Sequence, residues 1–477
     1  MNRKLYITTA IPYVNAAPHV GFALELVQAD AIARFHRLRG RTVRFQTGTD
    51  ENAIKNVLAA REQGVSPREL VDRHAQLYRD LAAALDANPD DFIRTTEDRH
   101  RRGVHEFWRR LEADDVYRQD YRGLYCTGCE DFYQADELAS GCCPEHGVPP
   151  VEVNESNYFF RLSAYERRIE DLLTSGRLKV VPEARRNEVL SFVRLGLRDF
   201  SMSRPASRSY GWGTPVPGDP SQVVYVWVDA LINYVSGPGL GSSEDWQQWW
   251  GDGAEKVHVI GKNVWKFHAV YWPALLLSAR LPLPDTLVVH GFVTAEGRKI
   301  GKSLGNAIDP FALVEEFGAD AVRHYLLRAI PPFEDGDFSR RRLGELYRCD
   351  LANGLGNLVS RLAALSRKAD VAPPPGADEP PEDFAAAIES YEFDRASAAL
   401  WQEIDSLNRR IETVKPWQLA AQQDHAALQG HLREWLGRLS RLAYWLKPLL
   451  PRAAGSIREA LAGLPARGVQ PLFPRLR

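Results

Sequence analysis

The chain opens on an apolar, β-branched run, KLYITTA (4–10), which predicts a strand. It then turns through Pro12 and Pro18, and apolar positions recur at helical spacing from about Gly21 to Phe35. RTVRFQTGTDEN (41–52) predicts a second strand that ends in a polar cluster. The stretch SPRELVDRHAQLYRDLAAAL follows, with Ser66 as N-cap, Pro67 at the first helical position and Glu69 completing a capping box. Strand and helix in alternation predict a parallel sheet with crossover helices.

From about 115 to 224 the alternation stops. This stretch holds many turns, a cysteine cluster and the Pro/Gly-rich GWGTPVPGDPSQ, and reads as an insertion. Strand–helix alternation resumes at QVVYVWVDALINYV (222–235), KVHVIG (256–261) and DTLVVHGFV (285–293). After about residue 340 the pattern is helical, with one Pro-rich break, VAPPPGADEPPEDF (371–384), expected to be a loop between helices. No internal repeat is present. The predicted class is α/β: a Rossmann-like parallel sheet split by a metal-bearing insertion and followed by a C-terminal helical bundle.

The length of 477 residues asks for several domains, and 44% hydrophobic with 26% charged residues supports a large folded core. No apolar run is long enough to span a membrane and no basic-then-apolar leader occurs, so a cytoplasmic protein without a membrane partner is expected. The net charge of -2 gives no global positive field, so any nucleic acid must be met by a local patch. Four of five cysteines crowd between Cys126 and Cys143, which suggests a metal site in a reducing compartment. Arg greatly outnumbers Lys, which makes two neighbouring lysines informative.

In an open parallel sheet, ligands bind at the carboxyl ends of the strands. His19 follows the first strand there, beside a helix N-terminus suited to an anion. Asp50 and Glu51 end the second strand, and Lys262 and Asn263 end KVHVIG. RKIGKSLGN (298–306) places Lys299 and Lys302 around a glycine, a loop able to bring two ammonium groups onto a polyphosphate. YCTGCEDFYQADELASGCCPEHG (125–147) gives Cys126-x2-Cys129 and Cys143-x2-His146, the two knuckles of a structural zinc site, with Cys142 as an alternative ligand. Cys349 stands alone and is expected in the core. Tyr225, Trp227, Tyr234, Trp265, His268 and Trp272 supply either a pocket for a small apolar group or ordinary core. Asn353, Asn357 and Arg361 recur at i, i+4 and i+8 on one helix face, and Trp417 is available to stack on a base.

Together these pieces resemble the class I aminoacyl-tRNA synthetases, and specifically the methionyl-tRNA synthetase family. PHVGF stands where that family's first signature, His-Ile-Gly-His, should be. KIGKS stands at its second, Lys-Met-Ser-Lys-Ser. TGTDEN, NEVLSFVRLGLRDFSMSR, VYVWVDALINY, HVIGKN and HGFVTAEGRKIGKS follow as family blocks in order, so the resemblance covers essentially the whole chain. It implies that Ala10, Ile11, Tyr13, Trp227, Ala230, Tyr234, Val264, His268 and Trp272 form a methionine pocket, with Asp50 near the substrate amino group. His19, Lys299 and Lys302 take catalytic roles, and His19, Gly21, Phe22, Asn263, Lys299, Lys302 and Ser303 line the ATP end. Asn353, Asn357, Arg361 and Trp417 match the readers of a CAU anticodon.

The resemblance implies methionine, ATP with Mg²⁺, structural Zn²⁺ and tRNA as ligands. It assigns 1–114 and 225–295 to the catalytic halves, 115–224 to the insertion, 296–345 to the signature loop and stem-contact region, and 346–477 to anticodon binding. The chain stops after the helical part, where some family members carry a dimerisation module, so a monomer is expected. The sequence departs from the family at Phe22, Asn52, Asn263, Ile300 and Gly301, all assigned to the nucleotide end. Three functions follow: a methionine–tRNA ligase with an altered nucleotide site, a paralogue with changed activity (forming an amide bond in biosynthesis, or serving as an inhibitor-resistant second copy), or a non-catalytic tRNA-binding regulator.

Overall fold

The computed structural model describes residues 3–128, 130–133, 135–144, 147–295, 297–299, 308–374, 379–465 and 470–475, with backbone only at 131, 298 and 299. The chain forms two compact units. Unit 1 takes residues 1–18, 41–80 and 89–289, and unit 2 takes 19–40, 81–88 and 290–477.

Unit 1 begins with β1 (Lys4–Thr9), β2 (Val43–Thr49) and β3 (Asp91–Arg94), with helices α2 (Ile54–Glu62) and α3 (Pro67–Ala84) between the last two strands; α1 (Val20–Leu38) belongs to unit 2. The N-cap half of the predicted capping box is present: Ser66 Oγ accepts the Glu69 N–H at 3.2 Å. The insertion contributes β4 (Val116–Cys126), β5 (Asp131–Tyr133), β6 (Val151–Phe160), β7 (Lys179–Val181), β8 (Phe200–Ser201), β9 (Ser203–Pro205), β10 (Pro215–Val216) and β11 (Asp219–Val224). β12 (Ala254–Gly261) and β13 (Thr286–His290) complete the set.

The six-stranded central sheet runs β3-β2-β1-β12-β13-β7. The pairs β2–β3, β1–β2, β1–β12 and β13–β7 are parallel. The last five residues of β1 and the last six of β12 are buried, as expected for strands covered on both faces. The order reverses between β1 and β12, so the crevice outside their carboxyl ends is the topological switch point where such sheets bind ligands.

Two features of unit 1 differ from the sequence reading. β7 comes from inside the insertion yet extends the central sheet, pairing Lys179 with Thr286 and Val181 with Val288. QVVYV does not rejoin that sheet: β11 pairs antiparallel with β9 and β10, and the chain then enters a short helix, Val226–Leu231. The insertion's own sheet, β5-β4-β6-β8, is antiparallel throughout.

In unit 2 a small sheet, Val293–Ala295 with Arg298–Lys299 and Gly336–Phe338, leads into a helical C-terminal region that includes Asn357–Ala369, Phe393–Val414, His425–Trp445 and Pro451–Ala462. The Pro-rich break does separate two helices, Asn357–Ala369 and Glu382–Glu389. Cys349 is exposed rather than packed in the core. It sits in a π-helical stretch, Tyr347–Gly356, whose buried residues are Tyr347, Leu351, Leu355 and Gly356, so the apolar stripe runs past it. No helix among the described residues is long and apolar enough to cross a membrane.

Candidate functional site

The carboxyl ends of β1 and β12 lead into an aromatic cluster in unit 1. After β1 the chain runs extended through Ala10, Ile11 and Tyr13, held by Ala10 N–H to Val259 O at 3.1 Å. After β12 it makes a 3₁₀ turn, Lys262–Val264, and then a π-helical turn, Phe267–Tyr271, that contains His268. Single π turns recur at functional sites because they re-aim side chains within a helix. Trp227 stacks on Phe267 with ring centroids 4.0 Å apart and meets Tyr13 at 5.8 Å. Tyr234 lies against Trp272 at 6.1 Å and His268 at 5.6 Å. Trp265 packs on Phe192 instead, as core, and Tyr225 is buried under the Arg204 guanidinium.

The polar contacts inside this cluster fix one tautomer. His268 Nδ1 lies 2.9 Å from the Val264 carbonyl, which can only accept, so Nδ1 carries the proton. Nε2 is then the acceptor for the Tyr234 hydroxyl at 2.7 Å. Burial pushes the His268 pKa down to about 4, so the ring is neutral at working pH. The cluster therefore combines aromatic faces with a neutral imidazole.

Beside it lies a cluster of carboxylates. Asp50 bridges to Tyr13, and its N–H donates to Pro12 O at 2.9 Å. Burial, then the charges of Asp229, Glu130 and Glu51, hold the Asp50 carboxyl well above the usual range, against some relief from the Asn52 N–H. A group so placed gains by meeting a cation. Glu51 is held by Arg94, with Nε 2.6 Å from Oε1 and Nη2 3.0 Å from Oε2. Asn52, a departure assigned to the nucleotide end, is used locally: its Nδ2 donates to Asp229 Oδ2 at 2.8 Å, Thr95 O at 3.2 Å and Thr214 Oγ1 at 3.3 Å.

Two residues here escaped the sequence reading. Glu130 is buried, and burial raises its pKa to about 7 against the lowering effects of the Lys55 N–H and the Lys55 and Arg204 charges. Arg204 is 4% exposed, and its Nε and Nη2 have no hydrogen-bond partner among the described residues. Its guanidinium lies over the rings of Tyr225, Phe132 and Tyr125. The signal was a lone arginine in SMSR; burial is what singles it out.

At the knuckle, Cys126 ends β4 before the β4–β5 hairpin turn and is buried. Cys143 is buried within a second turn, where its carbonyl accepts the Gly147 N–H at 2.8 Å. Cys129 and His146 lie outside the described residues, and no group of three metal-ligating side chains occurs among those described.

In unit 2 the first signature opens α1. His19 is its N-cap, with Nδ1 accepting the Gly21 N–H at 3.0 Å, so the neutral ring carries its proton on Nε2. A Cβ at Gly21 would stand 2.8 Å from His19 Cε1, so the imidazole folds over the helix end only because this residue is glycine. Phe22 is buried in the first turn of α1. Val20 N–H donates to Ile308 O at 3.3 Å, which returns the chain following the second signature to the helix end that His19 caps. Lys299 is described in backbone only, and Ile300, Gly301, Lys302 and Ser303 lie outside the described residues. Asn263 belongs to unit 1, exposed on the turn after β12.

Farther along unit 2, Asn353 and Asn357 are exposed, and Trp417 is 48% exposed with the Arg361 guanidinium 5.9 Å from its ring centroid. Arg361 also pairs with Glu412 at 2.7 Å.

The family model for class I tRNA synthetases (M) matches residues 5–149 and 145–363. A methionine–tRNA ligase of Brucella suis is 40% identical over 480 residues, covering 96% of this chain and 92% of the relative. One of Thermotoga maritima is 39% identical and covers 94% of this chain and 73% of the relative. The solved structure of Mycobacterium tuberculosis methionyl-tRNA synthetase in complex with methionyl-adenylate superposes with a TM-score of 0.87 at 36% identity, covering 99% of this chain and 100% of the other.

Proposed function

The chain belongs to the methionyl-tRNA synthetase family of class I tRNA synthetases, its reaction is methionine–tRNA ligation, and we propose how its residues divide that work. The observation that carries the division is the neutral aromatic cluster beside a buried carboxylate at the sheet's switch point. The methionine side chain enters between Trp227, Tyr13, Tyr234, His268 and Trp272, with Ala10, Ile11, Ala230 and Val264 completing the walls. Asp50 accepts its ammonium group. Such a pocket rejects smaller side chains by only about 1–3 kcal/mol per methylene.

The methionine carboxylate attacks the α-phosphorus of ATP, which enters with Mg²⁺, and the bond to pyrophosphate breaks. The 3′-terminal hydroxyl of tRNA then attacks the adenylate carbonyl and AMP leaves. The protein supplies position and charge: His19 donates from Nε2, Lys299 and Lys302 neutralise phosphate, and Gly21, Asn263 and Ser303 line the nucleotide end. Asn353, Asn357, Arg361 and Trp417 read the CAU anticodon, within an anticodon-binding part spanning 346–477. Cys126, Cys129, Cys143 and His146 hold structural zinc; the two described thiols are both buried, as a closed four-ligand site requires. That ion serves the hairpin's fold and takes no part in the reaction. A cytoplasmic monomer completes this reading, and light scattering tests the monomer.

Methionine-dependent ATP–pyrophosphate exchange, followed by charging of a CAU-anticodon tRNA, tests the whole. Exchange without charging favours the amide-forming paralogue, and tRNA binding with neither favours the regulator. Trp417→Ala is expected to lower kcat/KM for tRNA by about 5- to 150-fold, the worth of one stacked base, while leaving exchange unchanged. Equal losses in both assays sink its assigned role.

Phe22→His restores a donor where the family has one. One such donor is worth about 10²–10³ in rate when the rest of the site is complementary. With Ile300 and Gly301 still in place, a gain of about tenfold in exchange is expected. A flat or falling rate shows instead that Phe22 is a wall of a re-formed nucleotide site.

A further inference from the structure

Glu130 combines three costs in one residue. It is 3% exposed, it carries an ionisable carboxyl, and its backbone sits at φ 55, left-handed for a non-glycine residue. Such a residue persists when the surroundings hold it there for a use. It lies in the turn of the β4–β5 hairpin, next to Cys129.

Its carboxylate reaches the start of α2. The N-cap position of that helix, Ala53, offers no side-chain cap. Glu130 Oε1 accepts the Lys55 N–H at 3.2 Å, and its carboxylate also accepts the Ile54 N–H. Two of the free donors that open α2 are thus satisfied by a residue far away in the sequence.

The turn before α2 carries Asp50, and it is pinned at successive points. Glu51 N–H donates to Thr95 Oγ1 at 2.8 Å, and Trp212 Nε1 donates to Glu51 O at 2.7 Å. Asn56 Nδ2, from the first turn of α2, donates to Asp50 O at 3.2 Å. That grip on the Asp50 backbone exists only while the first turn is helical. We propose that Glu130 is a positioning residue for methionine: by capping α2 it keeps Asn56 on the Asp50 carbonyl, and so holds the Asp50 carboxylate where the substrate ammonium arrives. The hairpin of the cysteine knuckle is thereby tied to the amino-acid end of the site.

This rests on the assignment of Asp50 made above. The test is methionine-dependent pyrophosphate exchange by the full chain, with methionine and ATP titrated separately and thermal melting alongside. Glu130→Met keeps the buried volume and removes the acceptor. It is expected to raise KM for methionine by about 3- to 30-fold, the scale of one lost helix cap, with KM for ATP within about twofold and melting near that of the wild type. Glu130→Gln keeps an acceptor oxygen and is expected to hold methionine KM within about threefold of the wild type. Unchanged kinetics in Glu130→Met, a parallel rise in both KM values, or a Gln variant as impaired as Met overturns the proposal. A wild-type chain with no methionine-dependent exchange overturns the activity reading itself, a separate outcome. If Glu130→Met does not fold, Glu130→Ala combined with Ala53→Ser decides. A cap supplied locally should return methionine KM to near wild type, and no recovery rejects capping as the role.

Discussion

Replacing Asp50 with asparagine is expected to make the protein more stable at neutral pH and nearly unable to use methionine. Burial and the charges of Asp229, Glu130 and Glu51 hold the Asp50 carboxyl well above its ordinary pKa. A raised folded-state pKa on an acid means the folded state keeps its proton where the unfolded state has lost it. The resulting penalty is absent below the unfolded pKa, near pH 4, and grows as pH rises toward the folded value. Asparagine has the same shape and no such penalty. The melting temperature of Asp50→Asn should match the wild type near pH 4 and exceed it at pH 7.

Function moves the other way. Removing one partner of a buried, hydrogen-bonded charge pair costs about 2–5 kcal/mol, so kcat/KM for methionine in exchange should fall by about 30-fold to a few thousand-fold. The wild type also needs Asp50 ionised to bind an ammonium, so its KM for methionine should fall as pH rises, and the Asn variant should lose that slope. A variant that is less stable at pH 7, or that retains normal methionine KM, removes Asp50 from the role.

The placement of the candidate residues was legible from strand ends. β1, β2 and β12 stop where the apolar runs meet Pro12, Asp50 and Lys262, and a parallel sheet gathers ligands there whatever its loops do. Ser66, Pro67 and Glu69 announce α3 because a cap is a local device. What stayed hidden depends on long-range contact. Glu130 and Arg204 are ordinary charged residues in loop-rich stretches, and only their burial beside α2 and the Tyr125, Phe132 and Tyr225 rings gives them meaning. β7 is three residues long, too short for its alternation to say which sheet it joins. Cys349 misled because a lone thiol is usually buried, whereas here the buried stripe of Tyr347, Leu351 and Leu355 runs past it. Asn52 was grouped with the nucleotide end by resemblance, yet its amide donates to Asp229, beside the carboxylate of Asp50.

The helix that carries His19 is anchored by a buried ion cluster, and breaking it from its two sides should give unequal results. Arg323 is fully buried, with Nη2 2.7 Å from Asp30 Oδ2 on α1, Nε donating to Leu449 O at 2.9 Å, Nη2 to Pro448 O at 2.8 Å and Nη1 to Leu85 O at 3.3 Å. Asp30 also accepts Arg34 Nε at 2.7 Å and the Asn88 N–H at 3.0 Å. The asymmetry follows from what each loss leaves behind. Arg323→Met removes a cation but leaves Asp30 with Arg34 and a backbone donor. Asp30→Ala takes away the carboxylate that Arg323 Nη2 pairs with and leaves only Asp320, already engaged by the Arg452 and Ala453 N–H groups, as an acid that feels its charge; breaking such a buried pair costs about 3–5 kcal/mol. Asp30→Ala should therefore lower the melting temperature of unit 2 by more than Arg323→Met does. The double variant should be more stable than Asp30→Ala alone, because the second change removes the charge that lost its partner. Additive losses in that cycle would mean that the carbonyl contacts, and not the ion pair, hold Arg323 in place.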